Sequence, residues 1–220
     1  MRYFISAELP ENIREEIISI QNEFNVNKKH IQYVKLNNIH ITLRFLGNIR
    51  PNTLENINIA LKSSMSNTNA SSAHIERLEP YQNKNNMIGV WLQIYSRELN
   101  SIKNKIDQII YDACKEKQCA PKTHNSYKIH ATLFRIKRPD KKTKGDIIKT
   151  IDCLNKKIKK TYFTIKNIEL KQSELRPDGP RYTTIQSYIL KNNNQWWSKR
   201  YINADQQHIQ YGPKQDNKFT

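Results

Sequence analysis

The order strand, helix, strand, helix, strand is written into this chain twice, and the two copies share an offset of 90 residues. In the first copy YFISAEL (residues 3–9) alternates like a half-buried strand, and Pro10 opens a segment with Ile13, Ile17, Ile20 and Phe24 at helical spacing. A short strand near residues 31–34 precedes a longer one through HITLRFL. Pro51 then starts a helix with the stripe Leu54, Ile57, Leu61 and Met65, and AHIERLEPY resumes strand character. In the second copy NMIGVWLQI is a strand, Leu99, Ile102, Ile106, Ile109 and Ala113 form a helical stripe, and YKIHATLFRI is a strand. Ile147, Ile151, Leu154 and Ile158 make the next stripe, and YFTIKNIEL closes the cycle. One offset lays His40 on His130 and Ile75, Leu78 and Glu79 on Ile165, Ile168 and Glu169. The pattern predicts two similar lobes in a single domain over residues 1–190, built from two intertwined repeats. A polar, Asn- and Gln-rich extension without clear period follows over 191–220, where Trp196 and Trp197 could dock on a lobe or stack on a base.

A chain of 220 residues can bury a sizeable core without disulfides or a structural metal. Its 37 Lys and Arg against 20 Asp and Glu give a formal charge of +17, which attracts a polyanion or a phosphate-bearing substrate; a solvated lysine-rich surface is the alternative. Cys114, Cys119 and Cys153 match the spacing of neither a zinc site nor a redox pair and read as reduced thiols. No apolar run reaches the length of a signal peptide or a membrane span, so the chain reads as a soluble, cytoplasmic monomer.

The chemistry sits in the two strands that carry histidine. Residues two apart on a strand point the same way, so His40 with Thr42, and His130 with Thr132, each present an imidazole and a hydroxyl together. Strict alternation adds Arg44 to the face of His40 and puts Ile41, Leu43 and Phe45 behind it. Either histidine alone is most simply a satisfied strand residue. As a pair in one slot of a duplicated unit, they suit phosphodiester cleavage across a cleft. One neutral imidazole takes a proton, the other in its charged form gives one, and the hydroxyls hold phosphate oxygens. Zinc would need a third ligand at recognisable spacing, which neither strand supplies, so no metal and no cofactor is expected. His30, His74, His124 and His208 read as surface or packing residues, with His124 close enough before the second motif to visit the cleft as the alternative.

HITLRFLG and HATLFR resemble the paired motifs of the 2H phosphoesterase superfamily. With MRYFISAELPENIREEI at one end and SELRPDGPRYTTI at the other, the chain to about residue 190 resembles the RNA 2′,3′-cyclic phosphodiesterase branch, long called 2′-5′ RNA ligases. The resemblance implies a bilobal α+β fold of two antiparallel sheets flanked by helices around a central cleft. It implies His40 as proton donor, His130 as proton acceptor, Thr42 and Thr132 on phosphate oxygens, and Arg135 as a basic group at the site. Alternation sends Arg135 to the opposite face from His130, so that role requires a bulge or a strand end. The implied activity is hydrolysis of a 2′,3′-cyclic phosphate on RNA or a nucleotide to a 2′-phosphate, with ligation as its reverse. Cleavage of 2′-5′ linked oligonucleotides, or a non-catalytic module that binds RNA ends, are the rival readings.

Overall fold

A computed structural model describes residues 1–27, 29–83, 86–114, 127–137, 140–177 and 179–192. Apart from Lys191 and Asn192, the expected C-terminal extension with Trp196 and Trp197 lies outside the described residues, as do His124, His208 and Cys119. In chain order the elements are β1 (Arg2–Ala7), α1 (Glu11–Asn22), β2 (Ile31–Tyr33), β3 (Ile41–Gly47), α2 (Pro51–Met65), β4 (Ser71–Asn83) and β5 (Asn86–Tyr95). They continue as α3 (Arg97–Ala113), β6 (His130–Ile136), α4 (Lys141–Asn155), β7 (Tyr162–Ile165), β8 (Asn167–Arg176) and β9 (Gly179–Ile189).

The helices begin where the sequence supplies a start. Pro51 occupies the first turn of α2, the Ser96 hydroxyl accepts from the Leu99 amide at 3.0 Å, and the Asp140 carboxylate accepts from the Thr143 amide at 2.8 Å. Each helix buries one stripe against a sheet: Ile13 and Ile17, then Ile57, Leu61 and Met65, then Leu99, Ile102, Ile106 and Ile110, then Ile147 and Ile151. Each such side chain contributes roughly 1.5–3 kcal/mol of burial. In α3 the fully buried position is Ile110, while Ile109 sits at the edge of the stripe. Among the described residues no helix is long and apolar enough to cross a membrane. Cys114 is disulfide-bonded, contrary to the reading of all three cysteines as thiols, whereas Cys153 is free.

The architecture is α+β with a curled antiparallel sheet in the order β7-β4-β5-β6-β3-β1-β8-β9, and β2 also pairs with β6. Two well-made blocks, β7-β4-β5-β6 and β3-β1-β8-β9, are joined through one residue pair, Ile41 opposite Ala131. Those residues are themselves 90 apart. The two histidine-bearing strands therefore meet at the junction of the lobes, and each lobe takes an inner strand from the other copy of the repeat, β8 beside β1 and β4 beside β5.

Both junction strands carry a bulge at the same place. Ile5 faces Arg44 and Ser6 faces Thr42, which leaves Leu43 as the extra residue. Val90 faces Phe134 and Trp91 faces Thr132, which leaves Leu133. The extra residue inverts the alternation beyond it. Leu43, Leu133 and Phe134 are buried, while Phe45 and Arg135 come round to the face of the histidines. Two expectations are corrected by this. Phe45 is not core but 71% exposed, and Arg44 is not on the cleft face but turned toward α3, where its guanidinium lies 3.5 Å from the Asp107 carboxylate.

Gly89 lies opposite Arg135 on β5, and a Cβ there would sit 2.3 Å from the Tyr81 ring and 2.5 Å from the Phe134 carbonyl oxygen. Because one of those neighbours is backbone, the strand itself must shift. Gly89→Ala is expected to destabilise the fold by roughly 1–3 kcal/mol through overpacking, read from urea unfolding midpoints. An unchanged midpoint would contradict this packing.

Candidate active site

His40 immediately precedes β3 and His130 opens β6, so each projects from the start of a junction strand. Each is tied in the same way. The His40 Nδ1–H donates to the carbonyl oxygen of Asn38 at 2.8 Å, and the His130 Nδ1–H donates to that of Lys128 at 2.7 Å. Because a carbonyl can only accept, Nδ1 carries the proton in the neutral ring. Nε2 is then left as the lone pair that faces the cleft. On His40 that lone pair accepts from the Thr42 hydroxyl at 2.9 Å. Asn38 has a second task, since its side-chain amide donates to the Pro180 carbonyl at 3.0 Å and so fixes the start of β9, which carries Tyr182.

Aromatic rings set both imidazoles. His40 lies 5.1 Å from Phe4 and 5.2 Å from Tyr182, the latter edge-on. His130 lies 4.1 Å from Trp91, whose other neighbour is Tyr81, stacked at 4.9 Å and 14°. This enclosure removes water from the rings, and burial is the main reason that both titrate low. His40 is pushed down to about 4 by burial, against the opposing effect of the Asn38 carbonyl, with the positive charges of Lys171, His130 and Arg135 adding to the depression. His130 is lowered by burial, partly offset by the Lys128 carbonyl. Ile41 pairs with Ala131, so the two motifs stand side by side where the lobes join.

Each lobe also holds a glutamate two strands in from its histidine. Glu169 pairs with Lys171 at 2.7 Å, both nearly buried on β8. Glu79 receives Lys128 at 2.8 Å, Arg77 and, at 3.4 Å, the indole N–H of Trp91. Burial works to raise the Glu79 carboxyl, but these donors hold it below its ordinary value. The carboxylates thereby lock the cations and the tryptophan around the cleft.

His40, Thr42, His130, Thr132 and Arg135 thus converge, whereas Arg44 does not. The sequence reading assigned no role to Phe4, Trp91, Tyr81 or Lys171. The signal available for them was cross-strand pairing: Phe4 faces both Phe45 and Lys171, and Trp91 faces Thr132. Among the described residues no group of three or more His, Cys, Asp or Glu side chains could hold a metal ion.

Two lobes, each offering an imidazole with its Nε2 turned inward and a threonine beside it, make the class a 2H phosphoesterase. The family model for LigT-like phosphoesterases matches residues 7–92. An RNA 2′,3′-cyclic phosphodiesterase of Methanocaldococcus jannaschii is 31% identical over 190 residues, spanning 86% of this chain and 100% of that protein. One of the same name from Methanothermobacter thermautotrophicus is 22% identical over 192 residues, spanning 86% and 99%. Among solved structures, the protein TT0787 of Thermus thermophilus superimposes with a TM-score of 0.72 at 18% identity, over 88% of this chain and 100% of that one. LigT of E. coli, solved with 3′-AMP, gives 0.65 at 18% identity over 86% and 98%. The chain belongs to the LigT-like phosphoesterase family.

Proposed function

We propose that this protein hydrolyses 2′,3′-cyclic phosphates at RNA ends or on nucleotides, breaking the bond to the 3′ oxygen and leaving a 2′-phosphate. The observation that carries the reading is the pair of histidines, each tied through Nδ1 to a backbone carbonyl, at the starts of two strands that pair where the lobes join. The archaeal relatives named for this activity support it.

In the proposed reaction a water attacks phosphorus and gives its proton to Nε2 of neutral His130. Protonated His40 delivers its Nε2 proton to the departing 3′ oxygen. Proton balance is closed within the pair, because the turnover leaves His130 charged and His40 neutral and one exchange with solvent resets them. The Thr42 hydroxyl, which donates to His40 in the free protein, turns to a non-bridging oxygen. Thr132 and the Arg135 guanidinium hold the other, where negative charge builds in the transition state. The same acid and base also permit a 5′-hydroxyl to replace water and form a 2′-5′ linkage, but water at bulk concentration favours hydrolysis. The partners in this reading are RNA ends and nucleotides that carry a cyclic phosphate, met in the cytoplasm by a monomer of one bilobal domain.

Product analysis on a dinucleotide ending in a 2′,3′-cyclic phosphate tests it directly. A 2′-phosphate product is expected; a 3′-phosphate would reverse the assigned leaving group, and no turnover would favour a module that only binds RNA ends.

A further inference from the structure

Beyond the histidines the cleft face of one lobe continues as a row of rings. Opposite residues on antiparallel strands share a face, so the pairing of β6, β5, β4 and β7 fixes which side chains lie together. Thr132 lies with Trp91 and Glu79, then His130 with Gln93 and Arg77, then Tyr95 with His74 and Tyr162. In that last row His74 is flanked by both tyrosines, with ring centroids 5.2 Å from Tyr95 and 5.1 Å from Tyr162. Tyr95 is 58% exposed and Tyr162 46%, which is unusual for rings packed side by side on a sheet. The residues behind them, Ile75 and Ile94, are core.

We propose that this tyrosine–histidine–tyrosine row is a stacking platform for single-stranded RNA, which takes a base upstream of the terminal nucleotide whose cyclic phosphate sits between His40 and His130. The inference rests on the functional reading above and adds the substrate class, RNA strands over free cyclic nucleotides.

Three features of the molecule support it. The platform is continuous with the site: Tyr95 is one strand across and two residues along from His130, about 8 Å between backbones, a span one nucleotide covers. Two cations stand near its border, Lys128 and Arg77, each paired with Glu79 yet with roughly half of its side chain open to solvent, and within the row His74 donates to the Glu76 carboxylate at 2.9 Å. Rings on a sheet face suit unpaired bases, since stacking needs no particular base identity. Among the described residues the facing lobe has no counterpart. There β1 ends at Ala7, and the position that corresponds to Tyr95, four residues past the strand partner of the motif threonine, is Pro10.

The test compares Tyr95→Ala/Tyr162→Ala with the unmodified protein on two substrates, a nucleoside 2′,3′-cyclic monophosphate and a tetranucleotide ending in the same group. Binding of a fluorescent single-stranded tetranucleotide is measured alongside by anisotropy. The double variant is expected to lose roughly 5- to 100-fold in kcat/KM on the tetranucleotide, through KM, and as much in binding. The mononucleotide should change by less than about twofold, and Tyr95→Phe/Tyr162→Phe should restore the oligonucleotide values. Unchanged anisotropy, or equal losses on both substrates, overturns the platform. Absence of turnover in the unmodified protein would instead overturn the phosphodiesterase reading, while anisotropy still decides whether the rings hold RNA.

Discussion

His40→Ala and His130→Ala are each expected to lower kcat/KM on a 2′,3′-cyclic phosphate by about 100- to 10,000-fold, the usual worth of a positioned general acid or base. Neither ring supports the core. Each lies on the cleft face, while Ile41 and Ala131 beside them are fully buried, so the variants should retain the unfolding midpoint within a few degrees. Full activity in either variant would end the two-histidine mechanism. The two losses can also be told apart. On a 2′,3′-cyclic phosphate ester whose 3′ bridging oxygen is replaced by sulfur the leaving thiolate departs without needing a proton, so removing the acid should cost little while removing the base costs as much as before. With His40 as acid, His40→Ala recovers most of its rate on that ester and His130→Ala does not. Recovery by His130→Ala would exchange the two roles.

Hydrophobic periodicity exposed the duplicated order of elements and the helical stripes because burial acts on every residue of an element at once. The bulges at Leu43 and Leu133 left no such trace, since a single unpaired residue does not alter the count of apolar positions. Yet it reverses every side chain beyond it. Arg44 and Phe45 occupy the slots of Phe134 and Arg135, so the order of ring and guanidinium is swapped between the copies. One rule of alternation could put only one arginine in the cleft, and without the bulge it selects the wrong one. The aromatic shell was hidden for a different reason. Phe4, Trp91 and Tyr182 come from three strands scattered over the chain, and only their pairing brings them to the imidazoles. The Nδ1 anchors escaped notice because they are backbone carbonyls, which carry no sequence signature at all.

The dependence of rate on pH should expose the low titration of the pair. The reacting form carries one proton shared by two imidazoles, so kcat/KM follows a bell bounded by the two macroscopic values of the free protein. Both histidines are displaced below the ordinary 6.5, His40 to about 4. The singly protonated form is therefore most populated on the acid side of 6.5. Above that value kcat/KM should fall about tenfold per pH unit, and the optimum should lie well below neutrality. The profile of kcat should differ. A phosphodiester anion bound between the rings favours the imidazolium and opposes the effect of burial and of Lys171 and Arg135, so the alkaline limb moves upward in the complex. This also reconciles a strongly depressed His40 with its part as proton donor: it is neutral in the free protein and takes up its proton with the substrate. Removing the neighbouring positive charge should act in the same direction, so Lys171→Met is expected to shift the alkaline limb of kcat/KM to higher pH. A kcat/KM flat from pH 5.5 to 8, or identical limbs for kcat and kcat/KM, would show that substrate charge does not set the protonation of this pair.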